Sequence, residues 1–559
     1  MQPCRPVRYP RLNKRGVTGA VFAITAAILI GASAIATEAA LWYLGQEQAY
    51  GVADAAALAG VVQYVNSINS GESLGAAGSD AQAAATTVAG MNGFGAAQTN
   101  TIAGAASSVV TANNPPSTGV FAPGSPQATP SATEVIINID YPTFLASVFH
   151  AADINVGARA VAYSKPVGQA CLLSLSGDLT INMSVQGTAC YLASNATDAT
   201  SVTVADSVNF SIFGITTEGA CVGNGCLSAN PLWGSTSGDG SGVARPAAAY
   251  QLPTTNPLAG LGPTASNPTA PDLIAPAASQ IVCPLVSSLS FGFTNPPPSD
   301  PAYCTTTQTQ IPLTISASAT LPPTQPDNTT GATIQSVCGT VSLPNVCAYY
   351  NMDITINSAV ALLPGTYLLV NSSLTVNSTA RVTCSPEGGQ VCGGTNLSVP
   401  TNGNIGVTII LVGASGDLST MDAGKLYIDP GASVNISAPG TASYPSSTSG
   451  LLNGVLFYRD PSHLMSDTAA TPAVQIAGNN LSLLQGVMYF PGAGVHAWFA
   501  GNTGSAQLDC AIVIADTLNI GWPVPSSSLG NSVGVNDSCP GYNLNSLQLP
   551  TVQAAALGE

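Results

Sequence analysis

Residues 458–463, YRDPSH, gather a guanidinium, a carboxylate, a hydroxyl and an imidazole in a 559-residue chain with 7% charged residues and 3 histidines. Polysaccharide lyases and hydrolases on β scaffolds use Asp, Arg or His on one face for acid and base chemistry, which would make Asp460 and His463 the reacting groups. The other interpretation is structural: Arg459 and Asp460 pair where the chain leaves a strand, and Asp-Pro opens a turn. Because a second carboxylate at a recognisable spacing is missing, we favour the structural role and expect no enzymatic activity.

Other patterns typical of reactive sites are weaker. The nucleophile pattern GxSxG occurs at residues 71–75 and 530–534, but neither stretch follows a strand and opens a helix, and no histidine comes after Ser532. The sequence has no CxxC and no nucleotide-binding motif, and its acidic residues form no regular calcium-binding repeat at Asp417, Asp422 and Asp429. The histidines are far apart in sequence: His150, His463 and His496. We therefore expect no catalytic, metal-binding or cofactor-binding residue, and no cofactor.

Charge and hydropathy predict a membrane anchor at the N-terminus. The run VTGAVFAITAAILIGASAIA, residues 17–36, has no charge and is long enough to cross a bilayer. Its N-terminal flank carries 5 of the 11 basic residues, which places that end in the cytoplasm and the body outside. Transmembrane positions on this interpretation include Val17, Phe22, Ile28, Ile30 and Ala36.

A cleaved secretory signal is the alternative, because small-residue triplets at 32–34 and 34–36 would satisfy signal peptidase. Against it, apolar and alanine residues keep a helical recurrence past these positions to Val61. One continuous helix is the simpler interpretation.

The body beyond residue 15 carries 6 basic against 27 acidic residues. A surface this acidic repels phosphates, so we expect no nucleic-acid partner.

The N-terminal residues resemble a known family. A basic pair leads into a glycine, then come the apolar helix, an acidic residue, an aromatic pair and an alanine-rich run. This order resembles the TadG-like N-terminal region of Flp (tight adherence) pilus-assembly proteins, over about 50 residues. The signature residues are Gly16, Glu38, Trp42, Tyr43, Ala53, Asp54, Ala55, Ala56, Ala57 and Leu58.

The resemblance implies a membrane-anchored accessory or assembly protein of the Flp pilus or Tad secretion machinery, in the bacterial inner membrane. It implies a small pilin-like α/β unit after the helix, with a strand at 134–139, a short helix around 144–149 and a strand ending at 158–162. Its partners would be the membrane and other pilus-assembly or pilin-like proteins, with cell-wall or surface glycans as further candidates. Pilin precursors carry glutamate at the fifth mature position, where this chain has Val21 or Ile24, so we do not expect a processed pilus subunit.

Beyond residue 165, short strands with period-2 alternation recur every 15 to 30 residues, as in LSLSGDLTINMSVQG and LLPGTYLLVNSSLTVNS. Repeats of this length without long helices favour a right-handed parallel β-helix outside the membrane; a two-sheet β-sandwich is the alternative. The predicted fold is therefore mainly β, with an N-terminal membrane helix and a pilin-like unit. With a bacterial source, we expect the sequon asparagines to satisfy turns: Asn182, Asn195, Asn371, Asn377, Asn396, Asn435 and Asn480.

Composition shifts predict seven segments. They are a basic tail (1–16), a transmembrane helix (17–43), a helical extension with the α/β unit (44–165), a first β-repeat region (166–245), a Pro-rich linker (246–301), the β-helix (302–550) and a tail (551–559).

Twelve of the 13 cysteines fall as sequence neighbours in the body, which indicates disulfides in an oxidising compartment. The pairs predicted from proximity are Cys171 with Cys190, Cys221 with Cys226, Cys283 with Cys304, Cys338 with Cys347, Cys384 with Cys392 and Cys510 with Cys539.

Three functions follow from these observations. We favour a non-enzymatic membrane-anchored protein of pilus or secretion assembly, whose β-helix makes structural or adhesive contacts. The alternatives are a surface carbohydrate-active β-helix enzyme and a secreted adhesin released by signal cleavage.

Overall fold

The computed structural model describes the N-terminal third of the chain with short gaps, and beyond it mainly strands and their turns. The described residues are 14–95, 107–143, 154–186, 190–205, 210–226, 247–259, 278–284, 291–294, 313–321, 325–326, 333–334, 346–350, 353–362, 365–384, 406–412, 423–439, 452, 454–460, 472–477, 483–492, 496–500, 511–521, 532–534 and 549–558.

The chain divides into two compact units. The first comprises Met1–Ser67, Ser73–Ser164 and Ala555–Glu559; the second comprises Ile68–Glu72 and Lys165–Ala554. The elements that begin in the first unit are α1 (Lys14–Asn69), α2 (Leu74–Met91), β1 (Ser107–Asn113), β2 (Thr133–Tyr141) and β3 (Ile154–Ser174).

An antiparallel sheet with helices packed on its face forms the first unit. Strand β2 lies between β1 and β3, with Ile137 paired to Val110 and Ala158. Helix α2 begins at the N-cap Ser73, whose Oγ accepts from Ala76 N–H, and it buries an alanine about every fourth residue. At the end of the chain, Gly558 N–H donates to Val161 O at 2.7 Å.

The predicted strands at 134–139 and 158–162 lie within β2 and β3. The predicted helix around 144–149 lies outside the described residues.

The second unit is built from short strands. The first group is β4 (Leu179–Ile181), β5 (Ser184–Gln186), β6 (Tyr191–Ser194), β7 (Val202–Val204), β8 (Phe210–Ser211), β9 (Gly214–Thr217) and β10 (Cys221–Val222), followed by a 3-10 turn at Asn224–Cys226. The second is β11 (Ala278–Pro284), β12 (Phe291–Thr294), β13 (Leu313–Ile315), β14 (Ala319–Leu321), β15 (Gln325–Pro326) and β16 (Thr333–Ile334). The third is β17 (Val346–Tyr350), β18 (Ile354–Ile356), β19 (Ala359–Leu362), β20 (Gly365–Val370), β21 (Leu374–Val376), β22 (Arg381–Cys384), β23 (Val407–Val412), β24 (Leu426–Ile428) and β25 (Ser433–Ser437). The last is β26 (Val455–Arg459), β27 (Val474–Ala477), β28 (Leu483–Phe490), β29 (His496–Ala500), β30 (Ala511–Ala515), β31 (Thr517–Ile520), β32 (Ser532–Gly534) and β33 (Thr551–Leu557).

From β17 to β28, consecutive strands of the second unit fall in turn into three sets of parallel strands, whereas β11 with β12 and β15 with β16 pair antiparallel, and β32, β5 and β8 form a separate small sheet. The first follows the order β11, β17, β20, β23, β26, β28, β30, β3, β6, β9. The second follows the order β13, β18, β21, β24, β27, β29, β31, β4, β7, β10. The third contains β14, β19, β22, β25 and the start of β28. Between β17 and β28, each group of three strands therefore repeats the position of the group before it.

The stacking order differs from the chain order at one place. Strand β30 pairs in parallel with β3, and β31 with β4, so Leu172 lies beside Val513 and Leu179 beside Leu518. We call this junction the seam. It joins the repeats at 165–226, which come first in the chain, to the last repeat before the C-terminal strand.

The interior between the sheets is a ladder of aliphatic side chains. In the second sheet, most strands bury alternate residues, which occupy matching positions, as in Ile354, Leu374 and Leu426. The near-copied stretches GVLFY and GVMYF stack on one another, since Val455 pairs with Val487. The prediction of a mainly β chain with a long apolar N-terminal helix is thus confirmed.

Candidate functional site

The N-terminal half of α1 has an apolar surface that is exposed to solvent. The segment Thr18–Asn69 is long and apolar enough to cross a membrane, and its most apolar stretch has a mean hydropathy of 2.2 with none of it buried. Large side chains such as Phe22, which is 72% exposed, point away from the protein. The hydroxyls of Thr25 and Thr37 donate to the carbonyls of Val21 and Ser33, which satisfies them within the helix as an apolar environment requires. This part of α1 is a candidate membrane anchor.

The signature residues straddle the change from an exposed helix to a packed one. Gly16 and Val17 lie in the first turns of α1, and Phe22, Ile28 and Ile30 are exposed. Counting from Thr18, where the described exposures begin, Glu38 is the first buried polar residue. Ala36 and Tyr43 are exposed and Trp42 is half-buried. Further on, Ala53, Ala56 and Ala57 are fully buried, Asp54 and Leu58 are half-buried, and Ala55 faces solvent.

Two glycines allow the C-terminal half of α1 to pack closely against β2. A Cβ at Gly45 would lie 1.8 Å from the Tyr141 hydroxyl oxygen, and one at Gly60 would lie 2.6 Å from Thr133 Cγ2. The helix therefore runs antiparallel to β2 across its buried face. Sequence reasoning missed both residues, although an isolated glycine in a helical pattern is the signal of close packing.

On the other face of β2, Glu134 lies at the centre of a polar cluster. Its side chain is fully buried, its Oε1 accepts from Arg159 Nε at 2.7 Å, and its Oε2 accepts from Asn113 Nδ2, Ser117 N–H and Ser117 Oγ. Burial alone would raise the pKa of Glu134, but the hydrogen bonds from Ser117, Asn113 and Arg159 outweigh it and lower the pKa to about 2. The cluster joins β1, β2, β3 and the loop after β1, and no local sequence pattern predicted it.

Arg459 and Asp460 are buried parts of the second unit. Arg459 is 1% exposed at the end of β26, and its Nε and Nη2 donate to Gly424 O and Ala423 O at 3.1 and 2.9 Å. Asp460 is 3% exposed, and its N–H donates to Leu411 O at 2.8 Å. Pro461, Ser462 and His463 lie outside the described residues. Arg459 and Asp460 therefore bond to neighbouring segments of the second unit and are not exposed to solvent.

Most of the remaining described motifs occupy turns, although Ser532 of the second GxSxG stretch lies in β32. Ser73 of the first GxSxG stretch is the N-cap of α2, in the turn between the two helices. Asn182, Asn195, Asn371 and Asn377 lie just after strands, while Asn435 lies within β25. Asn396, Asn480, Asp417, Asp422 and His150 are not among the described residues. Within the described part of the chain, no group of three or more metal-ligating side chains comes together.

Two predicted disulfides are present. Cys171 is bonded to Cys190 and Cys221 to Cys226, both in the second unit. Cys384 is also disulfide-bonded, while Cys392 lies outside the described residues. The pairs Cys283 with Cys304, Cys338 with Cys347, Cys384 with Cys392 and Cys510 with Cys539 stay predictions, because at least one member of each lies outside the described residues.

Comparison with known proteins gives a weak likeness among solved structures. No protein-family model and no curated protein matches the chain. Among solved structures, it is similar to the competence-associated pilin ComZ from Thermus thermophilus, with 10% identity and a TM-score of 0.31, over 81% of this chain and 83% of that one. A TM-score this low carries no conclusion about fold or function.

Proposed function

We propose that this chain is a non-enzymatic, single-pass inner-membrane protein that serves the assembly of Flp pili or the Tad secretion machinery. Its first 16 residues lie in the cytoplasm, α1 crosses the membrane, and both units lie outside. Its partners are the membrane and other pilin-like or pilus-assembly proteins, and cell-wall or surface glycans are further candidates.

The observation that carries this proposal is the change in the surface of α1 along its length. The helix is exposed and apolar over the predicted transmembrane residues, and from Gly45 onwards it packs against β2 through small residues. A cleaved signal peptide would be removed from the mature protein. An uncut α1 would instead supply both the membrane anchor and part of the packed first unit. The Flp or Tad assignment itself depends on the family resemblance of residues 16–58.

We infer that the second unit is a right-handed parallel β-helix. Parallel pairing between matching strands of successive repeats supports a β-helix over an antiparallel β-sandwich. The aliphatic ladder inside the three sheets supports it further, since stacked repeats bury matching positions. Such a rod offers a long rigid surface for structural or adhesive contacts.

The burial of Arg459 and Asp460 argues against a carbohydrate-active enzyme that uses these residues. A group that reacts with a polysaccharide must reach solvent, and both side chains are at most 3% exposed. The secreted adhesin requires that α1 is cut before residue 37.

The first test is the N-terminal sequence of the mature protein from fractionated cells. We expect a start at or near Met1, in the membrane fraction, with the body digested when protease is added to spheroplasts. A start at Val17 would mean prepilin-type processing. A start between residues 33 and 37, in a soluble fraction, would overturn the anchor.

A deletion strain tests the assembly role separately. We expect loss of pili or of secretion, and rescue by the chain that carries Asp460→Asn and His463→Ala. If the wild-type chain rescues and this variant alone fails while accumulating to the same level, the enzyme hypothesis is favoured instead.

A further inference from the structure

The outer face of the second sheet is open to solvent, unlike that of the first. Strands β20, β23 and β26 of the first sheet are buried at every residue. In the second sheet, β4, β18, β21 and β24 bury their first and last residues and leave the middle one half-buried, with its side chain on the outside of the stack. The second sheet is therefore a face of the second unit that a partner can reach.

The middle residues of these strands form one continuous column along the stack. Parallel pairing places Thr375 beside Thr355 on one side and Tyr427 on the other, and at the seam Asn519 lies beside Thr180. Because neighbouring strands lie about 4.8 Å apart, the column offers one side chain per strand over about 38 Å. We call it the polar ladder; its members, in stacking order, are Thr314, Thr355, Thr375, Tyr427, Gln475, Trp498, Asn519, Thr180 and Thr203.

The polar ladder has hydrogen-bonding capacity that the protein does not use. Buried hydroxyls elsewhere in the second unit are paired, as where Ser372 and Thr408 donate to backbone carbonyls at 2.8 and 2.9 Å. In the ladder, the half-buried hydroxyls and amides at five positions have no hydrogen-bond partner within the described part of the chain: Thr355, Thr375, Gln475, Asn519 and Thr180. Groups of this kind are available to a ligand that can both donate and accept hydrogen bonds.

The charge of this face limits the class of partner. Every member of the ladder is uncharged, whereas the body beyond residue 15 carries 6 basic against 27 acidic residues. Charged side chains occur two positions before or after the ladder, as at Asp178, Lys425 and Asp429. The acidic body repels a polyanion, and an apolar ligand would leave the hydroxyls and amides without partners. An uncharged polymer rich in hydroxyl groups meets neither obstacle.

An aromatic ring lies near the middle of the ladder. Tyr427 is half-buried and lies between Thr375 and Gln475. A sugar ring has an apolar face that packs on an aromatic side chain, and its hydroxyls exchange hydrogen bonds with Thr, Asn and Gln side chains. One sugar of an extended polysaccharide advances by nearly the distance between neighbouring strands, so successive sugars can meet successive members of the ladder.

We propose that the polar ladder binds a neutral, extended surface polysaccharide that lies along the stack. One sugar ring packs on Tyr427, and the neighbouring sugars bond to the hydroxyls and amides on either side. This inference deepens the proposed function, which counts surface glycans among the partners, and it rests on that proposal for the position of the second unit outside the membrane.

Isothermal titration calorimetry on the full chain in nanodiscs tests binding, with empty nanodiscs as the blank. The probes are cellohexaose and chitohexaose, which are neutral and extended, and hexagalacturonate, which carries a carboxylate on each sugar. We expect saturable binding of at least one neutral probe, and binding of hexagalacturonate that is weaker by about tenfold or more. No saturable binding of either neutral probe, or equal binding of the anion, would overturn the proposal.

A pair of matched variants locates the site. Thr375→Val keeps the shape of the side chain and removes one hydroxyl, so we expect it to weaken binding about fivefold. The control is Thr383→Val, because Thr383 is a half-buried threonine of β22, in the same repeat but on the third sheet. Unchanged melting temperatures show that both variants fold. Equal effects of the two variants on binding would overturn the assignment to the ladder.

The ring is tested separately. Tyr427→Ala should weaken binding about tenfold, whereas Tyr427→Phe keeps the ring and should change binding by less than about threefold. Tyr250→Ala is the control, because Tyr250 is a 76% exposed tyrosine of the second unit outside the ladder. Full binding by Tyr427→Ala, or an equal loss in Tyr250→Ala, would contradict the placement of a sugar on Tyr427.

Failure of this inference can be told from failure of the proposed function. Glycan binding by a chain whose deletion leaves pili and secretion intact would overturn the assembly role and support the ladder site. Loss of pili in the deletion strain, without binding of either neutral probe, would do the reverse.

Discussion

A Cβ at Gly45 would lie 1.8 Å from the hydroxyl oxygen of Tyr141, so α1 crosses the end of β2 at a distance that only glycine permits. At Gly60, fifteen residues along the same helix, the same restriction applies against Thr133. These two contacts fix where the packed part of the helix begins and how it lies on the sheet.

Gly45→Ala should therefore destabilise the first unit by about 1–3 kcal/mol, because the added carbon forces the helix from the strand. The control is Gly51→Ala on the same helix, where a Cβ meets nothing within 4 Å and alanine should stabilise by up to about 1 kcal/mol. Thermal unfolding of the full chain in detergent, followed by circular dichroism, measures both. Equal melting temperatures for the two variants would contradict the packing described here.

Acid should weaken the first unit through Glu134. Its pKa is about 2 in the folded chain against an ordinary value of 4.5, so its carboxylate stabilises the fold above pH 4.5, and this contribution is lost as the pH falls from 4.5 towards 2. Glu134→Gln should cost about 2 kcal/mol at neutral pH, because it leaves buried donors poorly matched. It should also flatten the dependence of stability on pH in that window.

Chemical denaturation at several pH values gives these curves. Asp140→Asn is the matched control, a carboxylate on the same strand that is hydrogen-bonded by Ser107 and Asn155 at an exposed position. A pH dependence of Glu134→Gln identical to that of the wild type would show that Glu134 is not the titrating group.

The two described disulfides should contribute different amounts to the free energy of unfolding of the second unit. Cys171 and Cys190 are 19 residues apart and Cys221 and Cys226 are 5 apart, so loop-closure entropy assigns them about 3 and about 2 kcal/mol. Replacing each pair by alanine and measuring urea unfolding of the second unit tests this order. Mass spectrometry of the wild type under non-reducing conditions checks that both bonds form, and a larger loss from the shorter loop would contradict the expectation.

An added methyl group at the seam should make the strands paired there open locally. A Cβ at Gly177 would lie 2.0 Å from Thr517 Oγ1, across the pairing of the first repeats with the last. We expect Gly177→Ala to speed amide hydrogen exchange in β4 and β31, with a stability loss of about 1–3 kcal/mol. The comparison is Gly424→Ala, where a Cβ would lie 1.9 Å from Ser372 O, within the continuous run of repeats. If both variants loosen the same strands, the seam is not a separate weak point.

Local pattern was sufficient to predict the elements of the fold but not their order in space. The apolar run at 17–36 predicted the exposed helix, and period-2 alternation around Leu179 and Leu374 predicted strands with one buried face, because each signal is carried by neighbouring residues. The seam could not be predicted, since Leu172 and Val513 are aliphatic residues whose pairing across some 340 positions leaves no local mark.

The candidate sites divide in the same way. Arg459 and Asp460 are buried, but the pairing and the Asp-Pro turn expected for them stay predictions. That expectation came from the absence of a second carboxylate at a recognisable spacing. The Glu134 cluster was not predicted, because it depends on the loop after β1 folding back onto β2. The run of prolines at 115–130 was the available signal for that loop.

The seam also affects which strands are unpaired while the chain is being synthesised. Strands β3 and β4 emerge early, yet their partners β30 and β31 follow some 340 residues later. During that interval one edge of the first repeats has open backbone donors and acceptors, the kind of template on which extended chains aggregate. Until the last repeat has been synthesised, this edge of the first repeats therefore lacks the strands with which it finally pairs.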